Sequence, residues 1–145
     1  MSSDGTVTLA SALDYETATA YEITLTASDG DNTVSETLTI NVGDINEAPT
    51  VSTTLAASSV AEDAATGTTV ATSSASDPES SSISYSLSGT GSDNFSVDAN
   101  GNVTVASSLD YETTTSYTIT LTASDGSNST QETITINVSD VDEFS

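Results

Sequence analysis

Residues 117–124 decide the fold: they read YTITLTAS, with an apolar or aromatic side chain at every odd-numbered position and a hydroxyl group at every even one. An extended chain turns successive side chains to opposite faces, so this alternation predicts a β-strand with one apolar face. The same alternation returns at residues 134–138, which read ITINV. Each strand must bury its apolar face against a second layer, and the pair therefore predicts two packed antiparallel sheets.

The rest of the chain is rich in Thr, Ser, Val and Ile, residues that favour β-strands. The pair Asn100-Gly101 favours a tight turn, which would join the fourth and fifth strands of the unit as a hairpin. We predict an all-β fold, a seven-stranded Greek-key β-sandwich of the immunoglobulin-like type. Its strands are predicted near residues 51–60, 68–74, 83–88, 94–97, 102–106, 116–124 and 131–139.

A tandem repeat sets the domain organisation. When the sequence is shifted by 96 residues, residues 5–47 align with residues 101–143, and 29 of the 43 positions are identical. We therefore expect residues 1–47 to be the C-terminal part of one repeat, with strands near 6–10, 20–28 and 37–42. Residues 48–143 would form a complete repeat, and residues 144–145 would begin the next segment.

The composition excludes several classes of function. The chain has no Lys, Arg or His, and its 22 acidic residues give a formal charge of −22. Nucleic acid and anionic lipid would be repelled, because their recognition needs cationic side chains. No run of about 18 apolar residues is present, so no membrane span is expected. No signal peptide is evident either, so a secreted origin would require a longer parent chain.

Acidic residues gather in short motifs at predicted strand ends and loops. Two of them follow the last strand of a repeat, DINEAP at 44–49 and DVDE at 140–143. Two carboxylates about 5 Å apart repel by roughly 3 kcal/mol at an effective dielectric constant of about 20, and the chain has no Lys or Arg to neutralise them. Oxygen ligands without His or Cys favour calcium over zinc or copper. The other motifs are VAED at 60–63, ASDPE at 75–79, LDYE at 109–112 and ASDG at 123–126.

The order of these motifs resembles that of the cadherin family: an N-terminal Glu, a D-x-D-like loop, L-D-x-E, A-x-D-x-G and a D-x-N-D-x-P-like linker. The resemblance covers the whole chain and implies that calcium is held between successive domains. It implies a junction whose ligands are Asp14, Glu16, Asp44, Ile45 (by its carbonyl), Asn46, Glu47, Asp77, Glu79 and Asp125. It also implies a distal half-site formed by Glu62, Asp110, Glu112, Asp140, Asp142 and Glu143.

We therefore expect a calcium-stiffened spacer or adhesion repeat of a large secreted or cell-surface protein, such as a bacterial adhesin. The alternative is a binding module for polysaccharide or for homophilic cell adhesion. The expected partners are neighbouring repeats of the same chain and, in the alternative, like repeats or polysaccharide; nucleic acid and direct membrane insertion are not expected.

An enzyme is not expected. Carboxylate pairs such as Asp110 and Glu112 could suggest a glycosidase, but they lie at a strand end of a short repeat in which no nucleophile has a base beside it. Acidic residues outside the motifs are predicted to be solvated surface charges: Asp4, Glu22, Asp31, Glu36, Asp93 and Glu132.

Overall fold

The computed structural model describes residues 1–79 and 81–143. The chain forms two units, Met1–Ile45 and the part from Asn46 onward. Residues 144–145, predicted to begin a next segment, lie outside the described residues. The described residues include one stretch of helix, a 3-10 turn at Ser92–Asn94, which is far too short to span a membrane.

The first unit contains a two-stranded antiparallel sheet. Strand β1 covers Ala20–Ser28 and strand β2 covers Thr33–Asn41, and they pair from Ala20 opposite Asn41 to Ser28 opposite Thr33. Both strands were predicted, although β2 begins earlier than expected.

The predicted strand at residues 6–10 is wrong, because the structure forms no strand there. The equivalent segment of the second unit, residues 102–105, is a strand held between two neighbours. Residues 1–45 contain neither of those neighbours, so the backbone groups of residues 6–10 have no ladder to join.

The second unit contains two four-stranded sheets. Their strands are β3 (Thr50–Leu55), β4 (Val60–Ala61), β5 (Thr69–Ser76), β6 (Ser84–Ser88), β7 (Phe95–Val97), β8 (Asn102–Val105), β9 (Ser116–Ser124) and β10 (Ser129–Ser139). One sheet has the order β4-β10-β9-β6 and the other has the order β3-β5-β8-β7. The predicted all-β sandwich is confirmed.

Alternation along β9 and β10 builds the core, as the sequence predicted. Ile119 and Leu121 are completely buried, and Ile134 and Ile136 of β10 are each 3% exposed. Ile119 lies opposite Ile134 in the sheet, so the apolar rows of the two strands form one surface. The facing sheet covers this surface with the following buried residues: Val70, Ala71, Phe95, Val103 and Val105.

The predicted first strand of this unit, residues 51–60, is wrong as a single element. The structure divides it into β3, which pairs with β5, and β4, which pairs with β10 in the other sheet. Residues 56–59 read AASS and lack the alternation that would bind them to one face. The chain therefore crosses between the sheets there, and the side chain of Asn137 donates to the carbonyl of Ser58 at 3.2 Å.

We predict that the two units differ strongly in stability. A two-stranded sheet is marginal by itself, and Leu38 of β2 is 41% exposed whereas its counterpart Ile134 is 3% exposed. The amides of Ile23 and Ile40 should exchange about 100-fold faster than those of Ile119 and Ile136, the same positions in the second unit. Equal protection in a proven monomer would contradict the expectation.

We also predict that Gly101→Ala destabilises the second unit far more than Gly67→Ala. Both glycines have a positive φ, 85° and 91°, so each substitution carries a backbone penalty of about 1–2 kcal/mol. A Cβ at Gly101 would in addition overlap the carbonyl oxygen of Ser73, whereas one at Gly67 meets nothing within 4 Å. Chemical denaturation should show about 1–3 kcal/mol more loss for Gly101→Ala, and equal losses would contradict this packing.

Candidate metal centre

Three carboxylates meet at the C-terminal end of the second unit. Each of Glu62, Glu112 and Asp140 contributes one carboxylate oxygen to a group in which all three atoms lie within 4.8 Å of one another. We call this group the distal cluster. Strands β4 and β10 run parallel and end side by side, and Glu62 and Asp140 are the residues that follow them. The short parallel pairing therefore brings two acidic motifs to one edge of the sandwich.

Glu62 connects the loops around the distal cluster. It is only 6% exposed, and each of its carboxylate oxygens accepts a backbone N–H. Oε2 accepts from Tyr111 at 2.7 Å, and Oε1 accepts from Val141 at 2.8 Å. A buried carboxylate needs such donors, because an unpaired charge is costly to desolvate. Glu62 thereby holds both the loop before β9 and the segment after β10 against the body of the sandwich.

Charge repulsion within the distal cluster affects the pKa of Glu112. Its own backbone hydrogen bond lowers its pKa, but desolvation and the negative charges of Glu62, Asp140 and Glu143 outweigh this effect and raise the pKa overall. Glu112 and Asp140 also line a recess of about 200 Å³ with Val141, Asp142 and Glu143. A cation bound in this recess would remove the repulsion that raises the pKa.

Asp110, another predicted ligand, does not belong to the distal cluster. Its Oδ1 accepts the backbone N–H of Thr113 at 3.0 Å, and its Oδ2 accepts the Thr113 hydroxyl at 2.8 Å. These bonds lower its pKa, with the Thr113 hydroxyl as the largest cause. Asp110 therefore shapes the turn that presents Glu112. Asp14 of the first unit has the same arrangement with Thr17.

A second set of predicted ligands lies at the N-terminal end of the second unit. The side-chain amide of Asn46 donates to Asp125 Oδ2 at 2.7 Å, and the backbone N–H of Glu47 donates to Glu79 Oε2 at 3.3 Å. The contact with the Glu47 side chain is the largest cause that raises the pKa of Glu79, to about 7. Two carboxylates are thus held close together at this end as well.

Two oxygens at this end have no partner within the described residues. Oδ2 of Asp77 and Oε1 of Glu79 are enclosed and make no hydrogen bond there. Asp77 Oδ1, by contrast, accepts the backbone N–H of Ser81 at 3.0 Å. Enclosed carboxylate oxygens without donors, in a chain without a cationic side chain, fit a hard cation such as calcium.

The first unit brings Glu16 and Asp44 together, with one carboxylate oxygen of each within 4.8 Å of the other. Asp14 is engaged in its own turn, as described above. Ile45, predicted to contribute its carbonyl, is 75% exposed. The predicted ligands of the first unit therefore lie on loops, and the sequence motifs of these loops recur in the second unit.

The positions of Glu132 and Asn128 differ from what the sequence predicts. Glu132 was interpreted as a solvated charge, but it is half-buried on the core-facing row of β10, and its enclosed Oε2 has no hydrogen-bond partner among the described residues. The signal was its parity with Ile134 and Ile136. Asn128 binds the linker, since its side-chain amide donates to the carbonyl of Asn46 at 2.9 Å. Its identity with Asn32 in the repeat alignment was the available signal.

Comparison with known proteins gives one consistent family. The model of the cadherin domain matches residues 57–139. Mouse protocadherin Fat 4 is 36% identical over 131 residues, which cover 84% of this chain and 3% of that protein. Human cadherin-23 is 33% identical over 126 residues, which cover 83% of this chain and 4% of that protein. The chain thus spans only a small part of the curated relatives that it matches.

Solved structures agree in fold. Extracellular cadherin domains 3–6 of protocadherin gamma B2 align with a TM-score of 0.68 and 25% identity, covering 89% of this chain and 33% of that one. The cis-dimer structure of protocadherin gammaB7 EC3-6 aligns with a TM-score of 0.66 and 30% identity, covering 92% and 35%. Cadherins are extracellular or cell-surface proteins, which confirms the predicted localisation. The family model, the curated relatives and the solved structures together show that this chain belongs to the cadherin domain family.

Proposed function

We propose that this chain is a calcium-stiffened adhesion repeat of a larger extracellular protein, and that it is not an enzyme. The distal cluster carries the proposal, because three carboxylates meet there in a chain that has no Lys, Arg or His to pair with them. Residues 48–143 would be one complete repeat, and residues 1–47 would be the C-terminal part of the preceding one. Calcium bound at the distal cluster would neutralise the three carboxylates and hold the segment after β10 to the sandwich.

The donor set favours calcium. At the C-terminal end the ligands would be Glu62, Glu112 and Asp140, with Asp110, Asp142 and Glu143 around them. At the N-terminal end of the second unit they would come from Asn46, Glu47, Asp77, Glu79 and Asp125. The calcium ligands of the first unit would be Asp14, Glu16, Asp44 and the carbonyl of Ile45. All of these are oxygen ligands on irregular loops, which suit the flexible coordination of calcium better than the octahedron of magnesium.

Stiffening follows from where the carboxylates lie. The distal cluster joins the end of β4, the loop before β9 and the segment after β10. Relative motion is the default for domains joined by short linkers, and like charges beside a linker oppose its ordering. A cation that binds all three segments would fix the direction in which the chain leaves the repeat. The composition, without Lys, Arg or Cys, supports a bacterial adhesin in a calcium-rich medium as the parent protein.

A binding module for like repeats or polysaccharide is the second candidate. The cis-dimer of protocadherin gammaB7 supports like repeats as partners. A recess of about 600 Å³ lined by hydroxyl side chains, Asp110 and Tyr117 is the feature most suited to a sugar. Tyr117, however, packs edge to face against Phe95 with ring centroids 5.3 Å apart, and Gly91 lies against its ring. The ring is therefore a poor stacking platform, and we favour the spacer.

We predict that calcium raises the stability of the second unit more than salt does, because it binds the folded carboxylate clusters and hardly binds the unfolded chain. Calcium at about 100 times its dissociation constant should add roughly 2.7 kcal/mol per independent site. Calorimetry in calcium, in magnesium and in chelator at equal ionic strength would measure this. Identical melting midpoints in calcium and chelator would remove the metal from the proposal.

We further predict that Glu112→Gln has opposite effects with and without calcium. Because the pKa of Glu112 is raised, the folded domain favours its neutral form, and the variant should be at least as stable as the wild type in chelator. In calcium the variant should be stabilised less than the wild type, because it lacks one calcium ligand. Glu22→Gln removes the same charge from an exposed position on β1 and should leave the calcium response unchanged. Equal stabilisation of both variants by calcium would mean that Glu112 is not a calcium ligand.

A further inference from the structure

The start of the linker is bound to the second unit by complementary hydrogen bonds. The side-chain amide of Asn46 donates to Asp125 Oδ2 at 2.7 Å and to the carbonyl of Glu47 at 3.0 Å. In return, the carbonyl of Asn46 accepts the side-chain amide of Asn128 at 2.9 Å. Each bond joins an N–H donor to an oxygen acceptor, so the contact does not depend on a cation to offset like charges.

Asp125 is prepared for this contact by its own turn. Its Oδ1 accepts the backbone N–H groups of Ser127 and Asn128, both at 2.6 Å. The backbone of Asn128 and then the side chain of Asn46 are the largest causes that lower the pKa of Asp125. The carboxylate is therefore held as an anion with Oδ2 directed at Asn46, and a hydrogen bond to a charged acceptor is stronger than a neutral one.

The two linkers of this chain differ at the position of Asn46. The second linker keeps an Asp at the position of Asp44 and a Glu at that of Glu47, but it has Asp142 where the first has Asn46. A carboxylate has no N–H and could not donate to an aspartate. The turn that orients Asp125 is present in both copies, because Asp29 Oδ1 in the first unit also accepts two backbone N–H groups, from Asp31 at 3.0 Å and Asn32 at 2.8 Å.

We propose that Asn46, Asp125 and Asn128 form a latch that attaches the linker to the second unit without calcium, and that an aspartate at position 46 makes this attachment depend on calcium. The first part stands independently of the proposed function, whereas the calcium dependence rests on it. The two linkers of this chain then differ in kind. The DINE linker carries the amide donor that docks it without calcium, and the DVDE linker carries at the same position a carboxylate that cannot donate.

The test compares the wild type, Asn46→Asp and Asn46→Ala in the full 145-residue chain, each in chelator and in calcium. Amide hydrogen exchange at Asn46 and Glu47 reports on the linker, and exchange at Ile119 and Ile136 reports on the fold. In chelator the wild-type linker should be protected, and both variants should exchange about tenfold faster or more with an unchanged core. In calcium, Asn46→Asp should recover its protection, and Asn46→Ala should recover less.

Asn100→Asp is the matched control, because it adds the same charge at an exposed turn of the second unit. Its linker should exchange as in the wild type. Linker exchange in chelator that is equal in all variants would overturn the latch. A latch seen in chelator, with no recovery of Asn46→Asp in calcium, would overturn the proposed calcium dependence and leave the docking by Asn46 in place.

Discussion

Charge balance is the constraint on which the rest of this structure depends. With 22 acidic residues and no cationic side chain, every carboxylate must be satisfied by water, by a backbone N–H, by a side-chain amide or hydroxyl, or by an ion. Asp110 and Asp14 use a threonine and its backbone, Glu62 uses two backbone N–H groups, and Asp125 uses an amide as well. These residues build turns. Glu79 and Glu112 differ from these residues, because neighbouring carboxylates and desolvation raise their pKa values.

The fold places the carboxylates that need such partners at the ends of the sandwich. Its apolar rows occupy the middle of the strands, and the acidic motifs lie where strands end. The crossing at residues 56–59 is important for this reason, because it moves the chain into the second sheet and lets β4 end beside β10. Two residue pairs of parallel ladder thus determine where Glu62 and Asp140 meet. A repeat in which this strand stayed in one sheet would not form the distal cluster.

The sequence could predict what depends on periodicity and could not predict what depends on loops. Alternation was sufficient for β9 and β10 and for their packing, and it would have placed Glu132 correctly had its parity been followed. It failed at residues 6–10, where the pattern is present but the neighbouring strands are not. The motifs place Glu62, Glu112 and Asp140 in one predicted ligand set with Asp110, Asp142 and Glu143, and the first three form the distal cluster. That both oxygens of Asp110 accept hydrogen bonds from Thr113 depends on loop geometry, which residue spacing does not specify.

The open sheet of the first unit has a consequence for how this chain associates. Strands β1 and β2 each have one edge without a partner strand among the described residues, and such an edge is a template for pairing with another chain. Glu22 lies on β1 and Glu36 lies on β2, and the chain has no cationic side chain to offset their charges. Pairing between two such edges would bring like charges together, which destabilises a strand pair. The acidic composition therefore also opposes association of this sheet with a second copy of itself.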